Sequence, residues 1–361
     1  AALDAGVDVE LPTVDAYGEH LLAELEAGRV DPALVDRAAR RVLLQKIGLG
    51  LLDEDWSPVP AALASGAGDL GSVQDTVNLD PPENRGLAAR LAEESIVLLS
   101  NNGTLPLRSP ARIAVVGPNA ENPMAFLGCY SFPAHVGSQF PEVPAGIELP
   151  TVTASLRAEF GDSDVVYAQG CGIDDPDTSG IGDAVAAAKE SDVVIAVLGD
   201  RAGLFGRGTS GEGCDVESLV LPGVQQQLLD ALLDSGTPVV TVLLTGRPYA
   251  LGQAASRSAA VVQAFFPGEE GGSAVARVLS GAVNPSGRLP VSVPATPGSQ
   301  PATYLAAPLA GPTDVSNIDP TPAFGFGHGL SYTEFSWDGL HVETPETSTD
   351  GETAASLAVT N

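Results

Sequence analysis

The chain has 361 residues, enough at about 150 residues per domain for two or three domains, which excludes a small scaffold that depends on disulfide staples. Its 17 Lys and Arg against 46 Asp and Glu give a net charge of −29, a balance that opposes phosphate backbones and anionic lipid and argues against nucleic acid or membrane-surface partners. With 44% hydrophobic residues the composition excludes general disorder, and its 41 Gly and 29 Pro promise many turns while staying below the ~25–30% that marks low complexity.

Residues 1–56 open with an apolar stretch to Pro12, read as the end of a strand, followed by two helical patterns. The second is the better marked: Asp31 is its N-cap, Pro32 its first residue, and Leu34, Val35, Ala38, Val42 and Leu43 keep helical spacing until Gly48. Residues 57–84, rich in Pro, Ala, Gly, Ser and Asp with little periodicity, read as a linker. From residue 85 strands alternate with helices. A helix over Leu87–Glu94 leads into IVLLS, and apolar runs recur as RIAVVG, DVVYAQG, DVVIAVLG, PVVTVLLTG and AAVVQAFF. Their continuous apolar character suits strands covered on both faces, so residues 85–335 are expected to form an α/β domain around a mostly parallel sheet. The intervening helices are expected over Thr151–Phe160, Asp183–Glu190, Pro222–Leu233 and Gly272–Leu279, and GRLPVSVP, with its flanking prolines, reads as an edge strand. After Tyr332 the chain turns polar and ends on a short β pattern from Ala354. There is no internal repeat and no apolar run near the ~18 residues that a membrane span needs. Both termini read as cut from a longer protein, which leaves the compartment and the oligomeric state open.

Cys129, Cys171 and Cys214 are odd in number and widely spaced, so neither a disulfide framework nor a zinc site is indicated. The four histidines do not cluster, and no metal or cofactor is expected. In doubly wound sheets ligands sit beyond the carboxyl ends of the strands, which directs attention to the glycine-rich loop GDRAGLFGRGTSGEGCDVESLVLPG after DVVIAVLG. Its spacing is not GxGxxG, GK[ST] is absent from the chain, and no GxSxG surrounds Ser210, so neither a phosphate cradle nor a nucleophile elbow fits. What remains is carboxylate chemistry on Glu212, Asp215 and Glu217. Glu212, between two glycines, is the best general-acid candidate, although on spacing alone a solvated acidic turn is the commoner reading.

The run LDPPENRGLAARLAEESIVLLSNNGTLPL, the loop TSGEGCD with LVLPGVQQQLLDAL, and FFPGEEGG, GAVNPSGRLPVSVP and FGFGHGLSYTEF together resemble glycoside hydrolase family 3. The opening AGVDVELP and VDRAARRVLLQKIGLGLL are similar to the end of that family's barrel domain. The resemblance implies an exo-acting retaining β-glycosidase, acting on terminal glucose or xylose, with a (β/α)8-type barrel, an α/β sandwich and often a fibronectin type III-like domain. On that template residues 1–56 are the end of the barrel, 57–84 the linker, 85–335 the sandwich and 336–361 the start of the third domain.

The same resemblance implies that Glu212 is the acid/base and that the nucleophile is an Asp on a barrel strand before residue 1, so that this chain alone is inactive and its partner is the barrel. Asp215, followed by Val216 where many members carry Arg, orients the loop. Glu10, near the end of the last barrel strand, is placed to meet a sugar hydroxyl or simply to close that strand. Tyr130, Phe132 and His135 in LGCYSFPAHVG are candidates to line a sugar subsite or to pack the loop, and His328 reads as a hydrogen-bonding residue of a glycine-rich turn. LGCYSFPAHVG and AGVDVELP lean toward the xylosidase-type members. The alternatives are a non-catalytic carbohydrate-binding module and a phosphorylase or transglycosylase using the same carboxylates.

Overall fold

The computed structural model describes residues 1–60, 78, 80–108, 112–137, 139–161, 165–298, 312–315 and 319–361. The expected linker lies largely outside them. The chain divides into two compact units, Ala1–Leu79 and Asp80–Asn361.

The first unit is helical: α1 (Ala2–Ala5), α2 (Glu19–Glu26) and α3 (Pro32–Gly48). The start of α3 follows its sequence signals, since Asp31 Oδ1 accepts the Ala33 N–H at 3.0 Å and Pro32 needs no partner for an N–H it lacks. Arg37 ties α3 to α1 by donating to the carbonyls of Leu3 and Asp4, and Leu3 and Ala38 are buried. The strand end expected before Pro12 does not form. Gly6 closes α1 in the left-handed region, and residues 7–11 pair with no strand among the described residues; an extended segment without a ladder partner is no strand.

In the second unit α4 (Pro82–Ser95) leads into β1 (Val97–Asn101), β2 (Ile113–Val116), a short 3-10 helix at Pro123–Phe126, α5 (Phe132–Gly137), α6 (Val152–Phe160) and β3 (Val165–Ala168). Then come α7 (Ile181–Lys189), β4 (Val193–Gly199), α8 (Gln225–Leu233), β5 (Val239–Leu244), α9 (Gln253–Arg257), β6 (Ala260–Gln263) and α10 (Gly271–Ser280). The six strands form one sheet in the order β1-β6-β5-β4-β2-β3, parallel except for β1, which runs antiparallel to β6 with Val97 opposite Gln263.

Both faces are covered, as the unbroken apolar runs require. Ala92 of α4, Leu156 of α6 and Val275 of α10 pack with Ile113, Ile195 and Val242 on one face. Ala184 of α7, Leu228 of α8 and Ala254 of α9 pack with Ala114, Val194 and Leu243 on the other. All residues of β2, β4, β5 and β6 are buried, and each large side chain so placed contributes about 1.5–3 kcal/mol relative to exposure. The result is an α/β sandwich.

Two local readings are corrected. GRLPVSVP adds no strand: Val293 makes a single bridge to Phe324, because Pro290 and Pro294 each lack the N–H that a ladder needs. The polar stretch after Tyr332 contains β7 (Ser336–Val342), which pairs antiparallel with the expected final strand β8 (Ala355–Thr360); SWDGLHV carries Asp, Gly and His, a composition that does not read as a strand.

Candidate active site

The chain leaves β2 toward β3 on one side and returns to β4 on the other, so the topological switch point lies between β2 and β4. Beyond their carboxyl ends is where an open α/β sheet holds its ligand. The loop after β2 carries Tyr130 and the loop after β4 carries Glu212, and the two meet there: the Tyr130 hydroxyl donates to Glu212 Oε2 at 2.6 Å. That hydrogen bond to a carboxylate, together with desolvation, pushes the Tyr130 phenol up from its usual value. Both side chains remain open to solvent.

The backbone around Glu212 bends as only glycine allows. Gly211 has φ +129°, and a Cβ there would lie 2.1 Å from the Gly203 carbonyl and 2.9 Å from Cys129 Cβ. The turn is closed by Cys214 N–H donating to Gly211 O, and the neighbouring arm of the loop is held by Gly203 N–H on Ser210 O and Gly206 N–H on Glu212 O. Asp215 and Glu217 do not join the Tyr130–Glu212 contact. They line a separate depression of about 590 Å³ with Tyr249 and Pro222.

What anchors this irregular loop is polar and lies at its base. Asp200, fully buried directly after β4, accepts from Tyr249 Oη at 2.6 Å, Thr209 Oγ1 at 2.7 Å and the Gly246 N–H at 2.9 Å. Burial and the Asp200 carboxylate push the Tyr249 phenol well up, against a smaller opposing pull from Arg247. The Arg247 guanidinium donates to the carbonyls of Thr209 and Cys214. The buried Gln225 amide brackets Gly199, accepting its N–H at 2.7 Å and donating to its carbonyl at 2.8 Å, with a further bond to Ile173 O at 2.7 Å. Arg201 pairs with Asp174 at 2.8 Å. Sequence reasoning directed attention to the ends of these strands without singling out Asp200, Gln225, Arg247 or Tyr249. The available signal was an Asp, and a Gly-Arg pair, set at the carboxyl ends of two apolar runs.

The other candidates stand apart. Phe132 opens α5 two residues after Tyr130 and is exposed. Pro133 and Ala134 of that helix, with Met124, Val143, Leu204 and Arg207 among others, wall a cavity of about 380 Å³ beside the loop. Glu10, in the N-terminal unit, spends its carboxylate on the main chain: it accepts from the N–H groups of Asp15, Ala16 and Tyr17, the last at 2.7 Å. Those bonds hold it below the usual carboxylate range and order the turn at residues 15–17. His328 Nε2 lies 2.7 Å from the Leu99 carbonyl and its ring packs at 5.3 Å from Phe324, a structural engagement in a glycine-rich turn. Among the described residues no group of three His, Cys, Asp or Glu side chains is placed to hold a metal.

Residues 96–332 match the model of the glycosyl hydrolase family 3 C-terminal domain. The chain belongs to glycosyl hydrolase family 3. Among family relatives, a periplasmic beta-glucosidase of Salmonella typhimurium is 33% identical over 100% of this chain and 48% of its own length. A beta-xylosidase of Formosa agariphila is 34% identical over 99% of this chain and 48% of its own. Of solved structures, a beta-glucosidase involved in saponin metabolism from intestinal bacteria superposes with a TM-score of 0.81 at 29% identity, covering 100% of this chain and 52% of that one. A beta-glucosidase from Listeria innocua in complex with isofagomine gives 0.76 at 29%, covering 94% and 45%. This family 3 chain thus spans about half the length of the relatives it matches, and its sandwich is the family's C-terminal domain fold.

Proposed function

We propose that this chain supplies the acid/base half of an exo-acting retaining β-glycosidase that hydrolyses terminal β-linked glucose or xylose. The observation that carries the reading is the Tyr130–Glu212 contact at the switch point, which offers a solvent-accessible carboxylate on a glycine-hinged loop where such sheets bind ligands. The relatives called beta-glucosidase and beta-xylosidase support the substrate class. In this reading protonated Glu212 gives its proton to the glycosidic oxygen as the bond to the anomeric carbon breaks. An Asp on a barrel strand outside this chain forms the glycosyl-enzyme, about 5–5.5 Å being the separation that retention requires. Glu212, now ionised, takes a proton from the water that releases the sugar. Residues 1–56 then end the barrel and 336–361 begin a further β domain; Tyr130 and Phe132 flank the sugar, Asp215 supports the loop, and Glu10 lines the barrel rim. The isolated chain, with one of two carboxylates, does not turn over.

The test uses the complete protein. Glu212→Ala is expected to slow unactivated glycosides by about 100-fold or more, and on dinitrophenyl glycosides to give a burst with accumulating glycosyl-enzyme. Azide then restores turnover with β-glycosyl azide as product, since azide needs no base. Asp215→Ala and Glu217→Ala are expected to show no azide rescue. Near-normal turnover of Glu212→Ala on poor leaving groups ends this reading; sugar binding without hydrolysis indicates a binding module, and a sugar phosphate formed in phosphate buffer a phosphorylase.

A further inference from the structure

A general acid acts only when its carboxyl stands within a fraction of an ångström of the leaving oxygen, and a displacement near 1 Å costs about 100-fold. Glu212 is carried by a segment without helix or strand, so its placement must be enforced from outside the loop. Tyr130 touches the carboxylate itself and Asp200 holds one leg of the arc, but Arg247 grips both legs. The two terminal nitrogens of Arg247 donate to the carbonyls of Thr209 and Cys214, three residues before and two after Glu212, so a single planar group spans both legs of the arc.

Arg247 is itself fixed by the sheet. Its carbonyl accepts from Thr245 Oγ1 at 2.9 Å, and Thr245 Oγ1 accepts from Gln263 Nε2 of β6 at 2.9 Å. The preceding Gly246 N–H is held by Asp200 Oδ2 at 2.9 Å, and Asp200 Oδ1 also takes the Thr209 hydroxyl. The ends of β4, β5 and β6 therefore converge on the arginine and on Thr209, one of the two residues whose carbonyls it holds. Two of its donors go to main-chain acceptors and it also meets the Tyr249 side chain, a task matched to the planar, pre-organised fork of a guanidinium, which a lysine's single, freely rotating ammonium nitrogen reproduces poorly.

We propose that Arg247 is the positioning residue of the acid/base loop: by bridging Thr209 O and Cys214 O it sets where the Glu212 carboxyl stands, without touching substrate. The proposal rests on the assignment of Glu212 above. It predicts a defect that grows with the leaving group's need for a proton. A general loss of folding has no such signature.

The experiment measures kcat/KM of the complete protein on aryl β-glycosides graded from 2,4-dinitrophenyl to phenyl, for wild type, Arg247→Ala, Arg247→Lys and Glu212→Ala. For Arg247→Ala the phenyl glycoside is expected to lose about 100-fold and the dinitrophenyl glycoside under about 3-fold. Guanidinium chloride at low, non-denaturing concentration is expected to recover part of the phenyl activity. Arg247→Lys is expected to lose about 10-fold on phenyl and carries the test alone if the alanine variant does not fold. An equal loss across the series, or no loss, overturns the proposal. A steep series for Glu212→Ala with a flat one for both arginine variants sinks the role of Arg247 alone, whereas a flat series for Glu212→Ala sinks the acid/base assignment beneath it.

Discussion

β4 and the loop it feeds adjoin in sequence and are held by opposite means. All seven residues of the strand are buried in the sheet between two helical layers, and its order comes from apolar area removed from water. The loop keeps Phe205, Glu212 and Val216 exposed and takes its shape from a few polar anchors: the Asp200 carboxylate, the Arg247 fork and the Gln225 amide. Burial is distributed over many side chains, so one lost contact weakens the whole. Polar anchoring is concentrated, so one lost group moves one segment. Stability and chemistry should therefore respond to different substitutions.

Ile195→Ala at the centre of β4 is the largest expected stability effect, about 3–4 kcal/mol from lost transfer energy and a residual cavity. In the complete protein denaturant unfolding should shift while the dependence of kcat/KM on leaving group stays as in wild type; a change in that dependence would break the division. Asp200→Ala tests the boundary between the two regimes. It strips the acceptor from three donors, the buried Tyr249 hydroxyl, the half-buried Thr209 hydroxyl and the Gly246 N–H, which costs about 2–3 kcal/mol, and it should also lower activity on poor leaving groups. Gly211→Ala forces a Cβ toward the Gly203 carbonyl at a left-handed φ. It is expected to cost about 1–2 kcal/mol yet to damage turnover more than Ile195→Ala does.

Thr151→Ala removes the hydroxyl that accepts the Ala154 N–H at 3.1 Å at the start of α6. The expected loss is about 1 kcal/mol, with kinetics unchanged. The smallest effect is spectroscopic. The Tyr130 phenol is raised because its O–H donates a hydrogen bond to a carboxylate, so Glu212→Ala should bring it down toward the ordinary tyrosine value, followed by NMR of the labelled ring carbon. An unmoved phenol would mean that the two groups do not meet in solution.

The sandwich was legible because its strands are covered on both faces: IAVV, VVIAVLG and VVTVLL carry no polar residue except Thr241, and such short runs lack the polar positions that an amphipathic helix or a half-exposed strand needs. The edges were less so. The expected strand in GRLPVSVP fails on its prolines, and β7 is not legible where its equally exposed partner β8 is, because SWDGLHV mixes Asp, Gly and His with few β-branched residues whereas ASLAVT ends on Val and Thr. Glu212 stood out between its glycines as one of three carboxylates on the loop, and it was the family resemblance that chose among them, whereas its contact with Tyr130 was not legible, since 82 residues separate them and only the order of β2 and β4 in the sheet brings them together. Asp200 and Arg247 were harder still. A buried carboxylate or an arginine serving main-chain carbonyls has no spacing rule, because its acceptors are chosen by the shape of the loop.

The antiparallel β1 carries one more consequence, for how the domain comes into being. Its ladder joins Val97 to Gln263 and Asn101 to Ala260, whereas β2 and β3 are neighbours both in sequence and in the sheet. During synthesis an apolar segment must therefore wait, unpaired, until nearly the whole sheet has emerged. Contacts this distant slow assembly and lengthen the exposure of sticky intermediates. Ribosome-stalled chains ending before β6 should consequently be protease-sensitive at residues 97–101 and bind chaperones, and chains extended past residue 263 should lose both properties together.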